Sequence, residues 1–349
     1  MTAFAGLPCT TAAWEVPLPG SATHITGWLC VEQPGAWGRD VIGDEVLGPD
    51  ITAELAARTK AARVRPTLIR RPGRHEFTGV RTVLLVSSHP ERPWCERFEI
   101  TDLNQLLDFD PHLLNGPPPG IGAPVADPPV LVCAHGKRDQ CCARLGRPIA
   151  AHLAAAHPGR VWECSHTGGH RFAPAVVLLP SGLTYGRLTA DTALETLAAA
   201  DRNTLSLTGF RGRSGHSPVE QVAEITVREH LRDIGDDTAV ALNALTVTAD
   251  SATWGTAEAA DQASLAEADT SAGSTEVPAS IAPAAARLGD EAAPADPATF
   301  AGAAQVTHRD GRRWLVTVHT SAYAPRQASC GAAPKPVKAL RATRLHRLE

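Results

Sequence analysis

Between Cys133 and His170 the chain carries two cysteines and two histidines that any fold it adopts has to bring to one place. The stretch Val132-Cys133-Ala-His-Gly-Lys-Arg-Asp139-Gln-Cys141-Cys142 precedes Cys164-Ser-His166-Thr-Gly-Gly-His170-Arg-Phe172. Reduced to its ligating types, this is C-x8-C followed by H-x3-H. Thiolates and neutral imidazoles bind zinc and iron–sulfur clusters, and four of them complete one site. The Gly168-Gly169 pair lets the backbone fold back so that both rings can reach one centre. A lone buried cysteine or histidine is usually structural, but four within 38 residues, with a diglycine between two of them, make a site the better expectation.

The residues alone leave several chemistries open. H-x3-H has a spacing common in zinc sites, whereas C-x8-C is long for a zinc knuckle and suits a loop wrapped around something larger. Cys133-x-His135 and Cys164-x-His166 superficially resemble the two boxes of a Rieske centre. The second box is one residue short, however, and Cys142 and His170 would be left idle. Thiol redox chemistry at Cys141-Cys142 would normally need C-x-x-C at a helix start, and vicinal cysteines form only strained disulfides.

Bulk properties narrow the setting. The 349 residues, 43% hydrophobic and 20% charged, suit two ordinary domains or one with a long appendage. A net charge of −4 and a pI near 6.4 give no nucleic-acid footprint. No apolar stretch is long enough to span a bilayer, and the start Met1-Thr-Ala-Phe-Ala-Gly lacks a secretory pattern. A cytoplasmic, reducing setting is expected. Eight cysteines there argue for metal or redox chemistry where they cluster and for core packing where they scatter, as at Cys9, Cys30, Cys95 and Cys330.

The fold class expected is α/β, with two tandem thioredoxin-like units. Residues 125–202 read as β-α-β-β-β-α: strands at 129–133, 161–164, 175–179 and 183–187, a helix from Asp139 to about His157, and a closing helix from Thr189 to Ala200. Pro148 predicts a break or kink in the first helix. Residues 1–114 repeat the order. Trp37-Gly-Arg-Asp40 parallels Gly136-Lys-Arg-Asp139, and Arg71-Pro-Gly-Arg-His75 parallels His166-Thr-Gly-Gly-His170, which suggests a duplicated unit without a complete ligand set. A Pro/Gly connector at 115–124 joins the two. Residues 203–254 read as a helix and strand extension, 255–300 as a disordered Ala/Asp/Pro-rich insertion, and 301–349 as a hairpin at Asp310-Gly311 with a basic, solvated tail.

The strings Cys133-Ala-His-Gly-Lys-Arg-Asp-Gln-Cys-Cys142, Trp162-Glu-Cys-Ser-His-Thr-Gly-Gly-His-Arg-Phe-Ala173 and Pro180-Ser-Gly-Leu-Thr-Tyr-Gly-Arg187 resemble the sucrase/ferredoxin-like family. Trp28-Leu-Cys-Val-Glu-Gln-Pro-Gly-Ala-Trp-Gly-Arg-Asp40 is similar to that family's bacterial N-terminal segment. The resemblance spans roughly residues 20–230. It implies a thioredoxin-like domain holding a [2Fe-2S] cluster, with Cys133, Cys142, His166 and His170 as ligands. On that reading the chain is a one-electron carrier for an unidentified reductase or acceptor, rather than a substrate-converting enzyme. It would need neither nucleic acid nor membrane. A zinc-stabilised binding module is the other expectation. A redox enzyme with a cleft lined by Arg211, Arg213 and Ser214 is a third. No sugar-binding context accompanies Asp139 or Glu163.

Overall fold

Two stretches of the chain are apolar at nearly every position, and each becomes a central strand of one sheet. The computed structural model describes residues 4, 6–73, 75–249 and 299–349. A one-turn helix, α1 (Cys9–Ala12), leads to β1 (Gly27–Glu32), α2 (Pro49–Ala61), β2 (Val64–Arg70), β3 (Arg81–Ser87) and β4 (Trp94–Ile100). Two short 3-10 helices, Leu103–Leu107 and Pro111–Asn115, and the two-residue β5 (Ala123–Pro124) connect to the second half. There β6 (Val130–Cys133), α3 (Gln140–Ala156), β7 (Val161–Cys164), β8 (Val176–Leu178), β9 (Leu183–Tyr185), α4 (Ala190–Asp201) and β10 (Phe210–Arg213) follow.

The ten strands lie in the order β10-β9-β8-β6-β7-β2-β1-β3-β4-β5. β1 and β2 are parallel, as are β6 and β7, and each pair is linked by a helix. The remaining neighbours run antiparallel, including β2 with β7, where Ile69 faces Cys164 and Arg70 faces Glu163. The order β2-β1-β3-β4 is therefore matched by β7-β6-β8-β9. The sequence suggested units in tandem. In the structure the two halves join edge to edge through β2 and β7, and they share a core. Because side chains alternate along a strand, Val130 and Val132 pack with Ile149, Leu153 and Leu197. Leu131 and Cys133 turn the other way and meet Trp28, Cys30, Leu84 and Val86 of the first half.

Pro148 does not break α3, which runs unbroken from Gln140 to Ala156. The proline forfeits one backbone hydrogen bond, to the Arg144 carbonyl. Burial of Ile149, Ala150 and Leu153 on the sheet offsets it, at about 1.5–3 kcal/mol for each large apolar side chain.

A second sheet follows α5 (Pro218–Asp233). It is antiparallel, in the order β11 (Leu245–Ala249), β12 (Thr299–His308), β13 (Arg313–Gln327) and β14 (Pro334–Leu348). A Ser217/Glu220 capping box starts α5, and its Val222, Val227 and Leu231 pack on Val306, Trp314, Val316 and Val318. The basic segment expected as a solvated tail is the edge strand β14. Its five cations, at every third position from Lys335 to Arg347, are all exposed, while Val337 is buried against Tyr323 and Phe172. The insertion expected at 255–300 lies outside the described residues, apart from Thr299 and Phe300, which open β12.

Candidate metal centre

Strand β6 ends at Cys133, and a short turn carries the chain straight into α3. The Asp139 side chain accepts the Cys141 backbone N–H at 2.8 Å and so starts the helix where the sequence places an N-cap. Cys142 is then the third helical residue. Gly146, one turn on, faces the Cys133 backbone, and a Cβ there would collide with the Cys133 carbonyl. This close approach of helix to strand brings Cys142 to Cys133.

The histidine loop is held along its whole length. Ser165 pairs with Leu68 through backbone and hydroxyl, at 2.8 and 3.0 Å. Arg65 donates to the His166 carbonyl at 2.6 Å, Thr23 to the Thr167 carbonyl at 2.7 Å, and Arg211 to the Gly168 carbonyl at 3.3 Å. The His166 N–H is donated to His135 Nδ1 at 3.2 Å, so the other nitrogen of His135 donates to the Gly38 carbonyl at 2.6 Å. Gly168 and Gly169 sit at φ +95° and +69°, where a side chain would be strained and would strike Thr23 or Arg211.

These supports bring three of the four expected ligands together. The ligating atoms of Cys133, Cys142 and His166 all lie within 4.8 Å of one another. His170 stands next to them, its ring 5.0 Å from that of His166, but its nitrogens fall outside that tight trio. Both thiols are fully buried, whereas both imidazoles are half-buried. The Cys142 thiol, and then His166, hold the Cys133 thiol well below its usual range, against the effect of burial. Cys142 is pushed up in turn, chiefly by its hydrogen bond to Cys133. Burial, and then His166, push His170 down to about 4, so its ring is neutral at physiological pH. The Nδ1 atoms of His166 and His170 are buried without a hydrogen-bond partner. Buried ring nitrogens left without a partner are costly unless something binds them. Two soft thiolates and two free imidazole nitrogens suit an iron–sulfur cluster or zinc.

Other residues singled out in the sequence have different roles. His135 has both ring nitrogens occupied by backbone, and Cys164 is buried in the shared core with its thiol pushed well up by burial, so the Rieske-like set does not assemble. Arg211, Arg213 and Ser214 are buried. Arg211 holds the ligand loop, and Arg213 pairs with Glu224 at 2.9 Å. Glu163 is bound by Arg70 at 2.7 Å and Asp139 caps α3, so neither is free for sugar chemistry. His75 is exposed and bonded to the Pro72 carbonyl at 2.7 Å. Sequence reasoning missed Arg65 and Thr23, which carry no local motif and lie over a hundred positions from the loop they hold.

The sucrase/ferredoxin-like family model matches residues 18–205, more than half of the chain and all four expected ligands. The chain belongs to the sucrase/ferredoxin-like family. No curated protein and no solved structure matches it. Family membership agrees with Cys/His groups placed so that they could hold a metal. No helix among the described residues is long and apolar enough to cross a membrane.

Proposed function

We propose that this sucrase/ferredoxin-like protein is an electron carrier whose [2Fe-2S] cluster is held by Cys133, Cys142, His166 and His170. The observation that carries the proposal is the pair of buried, unpartnered Nδ1 atoms beside the buried thiol pair of Cys133 and Cys142. His170 lying just outside the tight trio fits an object larger than one ion. When bound, such a cluster exchanges one electron, at a potential raised by exchanging two thiolates for neutral imidazoles. Each half of the sheet has the strand order of a thioredoxin-like unit, with the second half bearing the ligands, and this supports a duplicated thioredoxin-like scaffold.

The chain's own groups set the direction of traffic. Cys133 and Cys142 anchor the buried side, and the half-buried imidazoles form the outward edge. Each histidine keeps a second nitrogen able to gain or lose a proton, so electron uptake is coupled to pH. Beside the site, a cleft of ≈ 550 Å³ is lined by Trp37, Arg70, His135, Lys137, Arg144 and Arg147. Its positive rim suits an acidic reductase or acceptor. Eight free thiols suit a reducing, cytoplasmic setting.

Absorption and EPR spectra of anaerobically purified protein test the proposal. The expected result is a red-brown protein with two irons per chain, and a cluster retained with a lowered midpoint potential in His166→Cys and His170→Cys. Its midpoint should fall as pH rises between about 6 and 9. Colourless, iron-free protein would overturn the reading. It would favour a structural zinc instead, for which the compactness of Cys133, Cys142 and His166 is the supporting observation.

A further inference from the structure

Cys141 does not join Cys142. Its side chain turns away and meets two cysteines from the opposite ends of the chain. Cys9 Sγ lies 3.6 Å from Cys141 Sγ, and Cys330 Sγ lies 3.3 Å from it. Asp139 completes the group, with its carboxylate oxygens 3.5 and 3.6 Å from Cys9 Sγ. All four ligating atoms lie within 4.8 Å of one another, and Cys9, Asp139 and Cys141 are buried. They come from α1, the first turn of α3, and the turn between β13 and β14, so tertiary structure alone assembles them.

From this geometry we infer a second, separate metal site that binds one Zn²⁺ through Cys9, Asp139, Cys141 and Cys330. With Zn–S bonds of about 2.3 Å and Zn–O of about 2.0 Å, a tetrahedral ion sets neighbouring sulfurs about 3.7 Å apart and sulfur and oxygen about 3.5 Å apart. The observed separations match that scale without movement of the backbone. The surroundings also do what a supporting shell does for a thiolate-rich site. The Cys9 N–H is donated to Cys330 Sγ at 3.5 Å, the Thr10 hydroxyl stands 3.5 Å from Cys141 Sγ, and Asp139 is oriented by the N–H groups of Cys141 and Cys330, each at 2.8 Å. The three cysteines bind as thiolates, releasing their protons to solvent, and no electron moves. The ion ties α1 and the second sheet to the helix start that carries Cys142. It is a clasp over the ligand site, not part of it.

The test uses the full-length protein, purified anaerobically without added chelator. Metal analysis should give one zinc per chain in addition to any iron. Cys9→Ser and Cys330→Ser should each lower bound zinc at least tenfold, with iron content and visible absorption unchanged. Cys133→Ser should do the reverse. Zinc retained in both Cys9→Ser and Cys330→Ser would overturn the inference, as would zinc lost only with Cys133→Ser. A second measurement covers variants that fold poorly. In the wild-type chain stripped of metal by a chelator, added Zn²⁺ should slow alkylation of Cys9, Cys141 and Cys330 at least tenfold. Unchanged alkylation, or a Cys141–Cys330 disulfide in the anaerobic protein, would also overturn it. Iron-free protein that still holds zinc at Cys9 and Cys330 would sink the cluster proposal and leave this one standing.

Discussion

The two halves of the ten-stranded sheet share one strand order and differ in what they do with it. The second half carries all four expected ligands, Cys133 at the end of β6, Cys142 on α3, and His166 and His170 in the loop after β7. The first half supplies, from β2 and from the loop after β1, residues that grip the second. Arg65 holds the His166 carbonyl, Leu68 pairs with Ser165, and Gly38 fixes His135, which in turn receives the His166 N–H. Trp37 stacks under Arg70 at 4.3 Å and packs edge-on against His135. The half without the expected ligands thus serves as the mount for the half that carries them. The lesson is that the site's precision resides in a half that supplies none of its four expected ligands.

That division can be sharpened by separating fold stability from ligand positioning, and the largest effect on stability should come from outside both the gripping residues and the expected ligands. Glu224 on α5 is buried between Arg213 and Arg228, each at 2.9 Å, with His216 3.3 Å away. Burial raises its pKa, but the two arginines outweigh that and hold it well below the carboxylate range. Glu224→Gln leaves two buried cations unbalanced and should cost about 3–5 kcal/mol, read as a lowered denaturant midpoint. Because the folded-state pKa is depressed, this stabilisation is complete above about pH 4.5, the ordinary value, and drains as pH falls through the folded value. The variant should lose that acid limb. It should still bind its cofactor in proportion to folded protein. Cofactor loss from protein shown to be folded would break the separation.

Arg65→Met makes the converse case. It removes a charged donor from the His166 carbonyl and should cost about 1.5–3 kcal/mol. Unlike Glu224→Gln, it should lower cofactor content per folded chain severalfold, since the His166 backbone loses its anchor. Full loading in folded Arg65→Met would mean that the second half positions its own ligands, and the mount idea would fall.

Much of this was legible in the residues, and the part that was not has a physical cause. Asp139 as a cap, Cys142 on the first helical turn and the diglycine reversal are local patterns, and each appears where the spacing put it. The close set of Cys133, Cys142 and His166 follows from them. Pro148 misled because the packing of Ile149 and Leu153 outweighs one lost hydrogen bond. The fusion of the halves was invisible, because two edge strands with apolar faces can pair or stay apart with the same sequence pattern. The basic tail misled because an edge strand with outward charges reads like a solvated coil. Cys9 and Cys330 looked scattered for a simpler reason: they are 321 positions apart, and no spacing rule reaches that far.

The smallest effect belongs to His75, and it probes the duplication directly. Sequence comparison set His75 opposite His170, as though the first half kept one ligand of a vanished set. In the structure the ring is exposed and bonded only to the nearby Pro72 carbonyl, in a segment with no cysteine beside it. Nothing there orphans a buried nitrogen, in contrast to His166 and His170. His75→Ala should therefore shift stability by no more than about 0.5 kcal/mol and leave metal content unchanged. A variant that lost half its iron or zinc would place a working ligand in the first half. The contrast between a half that binds and a half that holds would then have to be redrawn with both halves binding.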